Sequence, residues 1–217
     1  MTDQDFTALT ANTLHLEQVR IDLAGRELLS LSKSIAAGEV FTIMGPSGSG
    51  KSSLLAFIAG FLDPAFDASG QVLLDTEDVT RLPAEQRRIG LLFQDPLLFP
   101  HLSVGGNLAF GIPAKRRSEK HTIIEEGLHS FGLGGFTERD PATLSGGQKA
   151  RVALLRLLLS EPRAILLDEP FNKLDADLRR ELREQVFTRL RATGLPVILV
   201  THDQEDADAA GGEILSL

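Results

Sequence analysis

The amino-acid sequence predicts an α/β fold built on a mainly parallel sheet, and three observations carry that expectation. Compact apolar runs at 39–44, 88–94, 164–168 and 196–201 have the character of strands covered on both faces. Helical segments separate them; the clearest, over 176–192, repeats Leu178, Leu182, Val186 and Leu190 every four residues. A glycine-rich loop follows the first run and leads into an apolar segment over 51–61, giving strand, loop and buried helix in succession.

Taken in order, residues 13–20 (TLHLEQVR) alternate apolar and polar in strand fashion, and 27–35 supply a weaker second strand for a hairpin. Together they form an expected N-terminal antiparallel β region. Glu39 to Met44 is β-rich and ends in glycine, and 51–61 is apolar almost all round, as a buried helix requires. After the strand at 88–94, the stretch from Asp95 to Ser160 is mostly loop and helix, with helices expected at 118–131 and 146–160. The segment 213–217 (EILSL) reads as a last strand. No repeat, low-complexity tract or linker divides the chain, so 1–217 is expected to be one domain. Its α/β core takes about 1–94 and 161–217, and 95–160 forms an inserted α-helical subdomain.

Composition narrows the function. Lysine and arginine number 22 against 30 acidic residues, a formal net charge of −8, which argues against nonspecific nucleic-acid binding. With no cysteine, disulfides, thiolate metal sites and a cysteine nucleophile are excluded. The longest uncharged apolar run, Leu54 to Leu62, has nine residues, whereas a membrane-spanning helix needs about 20. The polar start MTDQDFTALTAN lacks a basic n-region and an apolar h-region, so no secretory signal is expected and the chain should remain in the cytoplasm.

The glycine loop is Gly45-Pro46-Ser47-Gly48-Ser49-Gly50-Lys51-Ser52, followed by Ser53, and matches the phosphate-loop pattern GxxxxGK[ST] between a strand and a helix. Glycines let consecutive N–H groups turn inward, and the positive end of the next helix adds to the attraction for phosphate. Lys51 is suited to the β and γ phosphates of ATP and Ser52 to Mg²⁺, which makes the core a P-loop NTPase. The run AILLDEP (164–170) delivers two carboxylates at a strand end. Successive strand side chains point to opposite sides, so the two acids serve different tasks: Asp168 as the Mg²⁺ partner through a water, Glu169 to polarise the attacking water. Leu144-Ser145-Gly146-Gly147-Gln148 opens a long helical run, with Ser145 placed as N-cap and glycines that admit an anion to the first N–H groups.

In this order the motifs resemble those of ATP-binding-cassette (ABC) ATPases along nearly the whole chain: phosphate loop, Gln94 after a strand, LSGGQ at 144–148, Asp168-Glu169, Leu174-Asp175, and His202 after a strand. The resemblance implies that Gln94 senses Mg²⁺ and the attacking water and links them to the helical subdomain. It implies that His202 contacts the γ phosphate and that Asp175 belongs to a loop communicating between two copies. In this family the signature of one subunit closes over the phosphate loop of another. Ser145, Gly146, Gly147 and Gln148 would therefore serve the partner's nucleotide, and hydrolysis would need a homodimer.

The segment 91–111 is similar to the region of importer-type transport ATPases that receives a helix of the membrane subunit, with Phe93, Leu97, Leu98, Phe99 and Leu102 as apolar docking surface. The implied protein is a compact importer ATPase of the small-solute, thiamine-like type, peripheral on the inner face of the cell membrane. Its partners would be an integral permease and a solute-binding protein. An alternative is a soluble ABC ATPase acting in DNA repair or on ribosomes. The repair members carry a long coiled-coil insertion between glutamine and signature, whereas here 145 − 94 = 51 positions separate Gln94 from Ser145. A binding module without turnover is disfavoured by Glu169.

Two departures stand out. The family usually stacks adenine on an aromatic residue where this chain aligns Leu23, and the chain has no tyrosine or tryptophan. Base contact is then expected from aliphatic side chains or another phenylalanine. The loop before Leu174-Asp175 reads Phe171-Asn172-Lys173, where serine and a small residue are usual. The chain printed here ends at Leu217, soon after His202, leaving no room for a regulatory domain in it, and the basic cluster Lys115, Arg116, Arg117 and Lys120 is expected to be a solvated loop.

Overall fold

The computed structural model of the chain describes residues 12–174 and 176–217. Asp175, and the first eleven residues where no secretory signal is expected, lie outside the described residues.

Two sheets organise the molecule. The expected N-terminal hairpin is present as β1 (Leu14–Leu23) and β2 (Arg26–Ile35), paired antiparallel. It is extended by two strands absent from the sequence expectations, β4 (Phe66–Leu74) and the short β5 (Glu77–Asp78), giving the order β2-β1-β4-β5. The second sheet is wholly parallel and joins β3 (Val40–Met44), β6 (Ile89–Leu92), β7 (Ala164–Asp168), β8 (Val197–Thr201) and β9 (Glu213–Ser216) in the order β6-β7-β8-β3-β9.

The near-continuous apolar character of these strands has a direct cause in packing. Phe41, Ile43, Ala164, Leu166, Ile198 and Val200 face one core, shared with the antiparallel sheet and with Leu54, Leu55 and Ile58 of α1 (Lys51–Ala59). Their alternates Val40, Ile165, Leu167, Val197 and Leu199 face the other, shared with α3 (Val104–Gly111), α4 (Lys120–Ser130), α5 (Gly146–Leu159) and α6 (Ala176–Thr193). Both faces are covered, so neither set of alternates needs to be polar. On α6, Leu182, Val186 and Leu190 are buried as their period predicts; Leu178, the first of the series, lies outside the residues whose side chains are described. Among the described residues of 95–160 there is no strand, and α3 is an addition to the two helices expected there.

Pairing register sets the site. Met44 of β3 pairs with Thr201 of β8, and Asp168 of β7 pairs with Val200, so the three adjacent strands end together at one edge of the sheet. The loops that follow carry Gly45–Lys51, Glu169 and His202, and ligands of open α/β sheets sit outside such carboxyl ends.

α1 ends against a buried arginine. Arg87, in the short α2 (Ala84–Arg87), is 5% exposed and donates from Nη1 to the Phe57 and Ile58 carbonyls at 2.8 and 2.9 Å, and from Nε to Leu82 O at 2.8 Å. A further donation from Nη2 reaches Thr80 O at 2.5 Å. The cation thus satisfies the orphan carbonyls of α1 and sits at the negative end of its dipole. We expect Arg87→Ala to destabilise the protein by about 3 kcal/mol, since buried acceptors lose their donors together. A lowered urea midpoint with unchanged slope is the measurement that checks it.

Candidate functional site

The loop between β3 and α1 is shaped by glycines at left-handed positions, Gly48 at φ 82° and Gly50 at φ 88°. Gly50 is the N-cap of α1, and no side chain caps that end. The first N–H groups of a helix have no intrahelical partner, so this terminus is left to whatever the loop holds. Lys51 is 5% exposed, and its ammonium turns back on the loop, donating to Gly45 O at 2.8 Å and Pro46 O at 2.7 Å, with Ser49 Oγ at 3.4 Å. A buried cation held by neutral oxygens, beside an uncapped helix N-terminus, is a concentrated positive site in an acidic chain. An oligophosphate fits it.

Two carboxylates approach this loop from β7. Asp168 accepts a hydrogen bond from Ser52 Oγ at 3.1 Å. Burial pushes its carboxyl above the ordinary carboxylate range; the Ser52 hydrogen bond opposes this, the Glu169 charge adds to it, and Lys51 opposes it. Such a group gains from a cation. Among the described residues no cluster of three or more histidine, aspartate or glutamate side chains is placed to hold a metal. That suits Mg²⁺, which takes one or two protein oxygens and fills its remaining positions with water and substrate phosphate.

Glu169 has a left-handed backbone, φ 46°, an uncommon conformation for glutamate and of the kind found at functional sites. Its carboxylate is gripped on both oxygens: Asn172 Nδ2 donates to Oε2 at 2.7 Å, and His202 Nδ1 lies 3.2 Å from Oε1. The structure therefore brings together Lys51, Ser52, Asp168, Glu169 and His202. A cavity of about 280 Å³ joins Ser47, Gly48, Gly50–Ser53 and Glu169 to Leu23, Leu28 and Phe66.

The other expected site residues lie elsewhere. Gln94 follows β6 half-buried, and it is not part of the lining of this cavity. Ser145 caps α5 in a reciprocal box, its Oγ accepting the Gln148 N–H at 3.3 Å while Gln148 Oε1 accepts the Ser145 N–H at 3.0 Å. None of Ser145, Gly146, Gly147 or Gln148 lines the cavity. Asp175 lies outside the described residues. Of the expected apolar docking residues, Phe93 and Leu97 are exposed, whereas Leu98 packs against the core. Phe110, 70% exposed and edge-on to Phe99, and Phe61, 6.0 Å from the Phe93 ring, extend the apolar surface beyond those expected. In the basic cluster, Lys115 and Arg116 pair with Glu161, and Arg116 also with Glu119.

Comparison with known proteins agrees with this geometry. Residues 28–172 match the family described as ABC transporter. The chain belongs to the ABC transporter family. It is 46% identical over 185 residues to an uncharacterized ABC transporter ATP-binding protein of Escherichia coli, covering 85% of each chain. It is 45% identical over 206 residues to the thiamine import ATP-binding protein of a Jannaschia species, covering 94% of this chain and 88% of the relative. An iron(III) ion import ATP-binding protein of Rhizobium meliloti is 43% identical over 187 residues, and the match spans 52% of its length. The protein is accordingly an ABC ATPase that binds ATP.

Sequence patterns missed the framework holding this ABC site. Arg179 of α6 donates from Nη1 to Asp203 Oδ2 at 2.8 Å and from Nη2 to the Asn172 and Leu174 carbonyls, each at 3.3 Å. It ties the loop after Glu169 to the loop after His202. Arg183, one turn on, pairs with the buried Asp206 at 2.7 Å, and Thr201 Oγ donates to the same carboxylate at 3.1 Å. The only sequence sign was an arginine-rich polar face on an amphipathic helix.

The raised Asp168 value fixes a sign. Its native form holds a proton more tightly than the unfolded chain, so its contribution to stability is full below the unfolded-state value and is lost as pH rises through the raised native one. In metal-free buffer at pH 7, Asp168→Asn is expected to melt above the wild type. The difference should disappear below about pH 4, where the wild-type carboxyl is protonated in both states. Calorimetric scans across that range with chelator present test it.

Proposed function

We propose that this ABC ATPase hydrolyses Mg²⁺-bound ATP as a homodimer to drive import of a small solute through an integral membrane permease. The observation that carries the hydrolytic reading is the Glu169 carboxylate, held between Asn172 and His202 at the mouth of the phosphate loop. Bound Mg²⁺ would neutralise charge developing on the phosphates. Lys51 and the amides of the loop hold the β and γ phosphates, and Ser52 and Asp168 provide the oxygens for the metal. Glu169 orients the attacking water and takes its proton, while His202 keeps that carboxylate aimed and faces the γ phosphate. Gln94 reports on metal and water from the end of β6.

The placement of the signature supports the dimer. Ser145 is exposed, yet in its own chain it lies outside the cavity, with its side chain engaged only in capping α5. Residues 144–148 are thus free to close on the phosphate loop of a second copy, with Asp175 in the loop between them. The proposed division assigns about 1–94 and 161–217 to the α/β core and 95–160 to the lobe that moves against it. The exposed Phe93, Leu97 and Phe110 are on or beside that lobe and offer an apolar face to the permease. Import is supported by the names of relatives specified for thiamine and iron(III) ions. Those solutes differ, so the reading commits to import of a small solute delivered by a binding protein. No described helix is long and apolar enough to cross a membrane, which accords with a peripheral position on the inner face of the cell membrane.

Glu169→Gln should lower turnover by on the order of 10²–10⁴-fold while leaving ATP affinity near wild type, read by phosphate release and titration calorimetry. Lys51→Ala and Ser145→Arg should each be inactive alone. Mixed together they should recover hydrolysis, since one composite site of the mixed dimer has an intact loop and an intact signature. A mixture as inactive as its components would overturn the shared-site reading.

A further inference from the structure

We infer that this chain accepts guanine nucleotides as readily as adenine nucleotides, because the base end of its cavity is an apolar shelf of Leu23, Leu28 and Phe66. The inference rests on reading the phosphate loop as a nucleotide site and adds what that reading leaves open.

The shelf is built by the antiparallel sheet. Leu23 and Phe66 are register partners on β1 and β4, so their side chains share one face. Leu28 stands on β2 directly against the loop: a Cβ placed on Gly50 would lie 3.1 Å from Leu28 Cβ. The three side chains line the same cavity as Gly48, Lys51 and Ser52, so a group anchored by its phosphates is delivered to them.

What the shelf lacks is a reader of base edges. The polar residues of the lining belong to the phosphate loop, the first turn of α1, or Glu169, whose carboxylate is already engaged by Asn172 and His202. Leu23 has ladder partners on both sides, Arg26 and Phe66, which commits the backbone there to the sheet. Adenine and guanine differ in the donors and acceptors of their edges but both offer a broad π face. Contact with an apolar surface uses that face and tolerates any base. A site built to hydrogen-bond one polar group rejects the analogue lacking it by about 10⁴-fold or more. A shelf without such a group has no means to do so.

The test is titration calorimetry of the full chain with ADP, GDP and pyrophosphate, each with Mg²⁺. ADP and GDP should bind within about threefold of each other, and both tighter than pyrophosphate. Phe66→Ala and the more exposed Leu23→Ala should weaken both nucleotides by a common factor, about tenfold for the phenylalanine, and leave pyrophosphate unchanged. A preference above about thirtyfold for either purine overturns the inference, as does an equal loss of pyrophosphate binding in both variants. If pyrophosphate binds and depends on Lys51 while the nucleotides gain nothing over it, the shelf is wrong and the phosphate reading stands. If none of the three probes binds, the phosphate reading itself falls.

Discussion

A lysine ammonium buried among neutral oxygens, at the uncapped start of a helix, is the constraint on which the remainder of the site depends. In a chain with a net charge of −8, Lys51 and the N-terminus of α1 gather positive potential at one point. Burial without a carboxylate at ion-pair distance is unfavourable for the protein alone and becomes favourable when an anion arrives. Asp168, some distance along the same edge, is the complement: a carboxyl whose ionised form is disfavoured by burial until a cation arrives. The two groups make an incomplete charge arrangement that a metal-bound oligophosphate completes, and the parallel register of β3, β8 and β7 fixes their separation.

The hydrolytic centre adds strain to that arrangement. Glu169 leaves β7 with a left-handed backbone, which for a residue bearing a Cβ costs on the order of 1–2 kcal/mol. The Glu169 N–H is held by Val200 O at 2.9 Å and the carboxylate by Asn172 and His202, so the conformation is over-determined from three directions. Asn172 is one of the residues that departs from the usual family pattern, and its amide reaches the carboxylate where a shorter serine side chain has less reach. Arg179 and the Arg183–Asp206 pair then brace both loops from α6 and α7 (Gln204–Ala210). A charged helix face that looks solvated in sequence is in fact the brace of the site.

The limits of sequence legibility follow from this. Strands buried on both faces announce themselves, and β7 and α5 fall almost on their expected bounds because their signals are local: an apolar run in one, a capping box and a 3.6-residue period in the other. β4 was invisible because FDASGQVLL carries two polar residues and a glycine in its first half, and only pairing with β1 makes it a strand. α3 was missed because VGGNLAFG has two glycines in its first turn; Ser103 caps it, and buried Asn107 bonds the Phe99, Leu102 and Ser103 carbonyls. The phosphate loop, Asp168, Glu169 and His202 were legible as motifs. Asn172, Arg179 and Phe66 were not, since each matters only through a residue distant in sequence.

Phe66 shows how the missed strand changes the chemistry. Base contact could be narrowed in sequence only to aliphatic groups or an unidentified phenylalanine, because the chain supplies 12 phenylalanines and no rule ranks them. Pairing of β4 with β1 places Phe66 opposite Leu23 and within the cavity that begins at Lys51. The phosphates are then recognised by charge and backbone donors, which are directional and strong, and the base by apolar area, which is neither. Affinity in such a site resides at the phosphate end, and selectivity among bases has no structural seat. What the chain does distinguish is the number and charge of phosphates it holds, the quantity that hydrolysis changes.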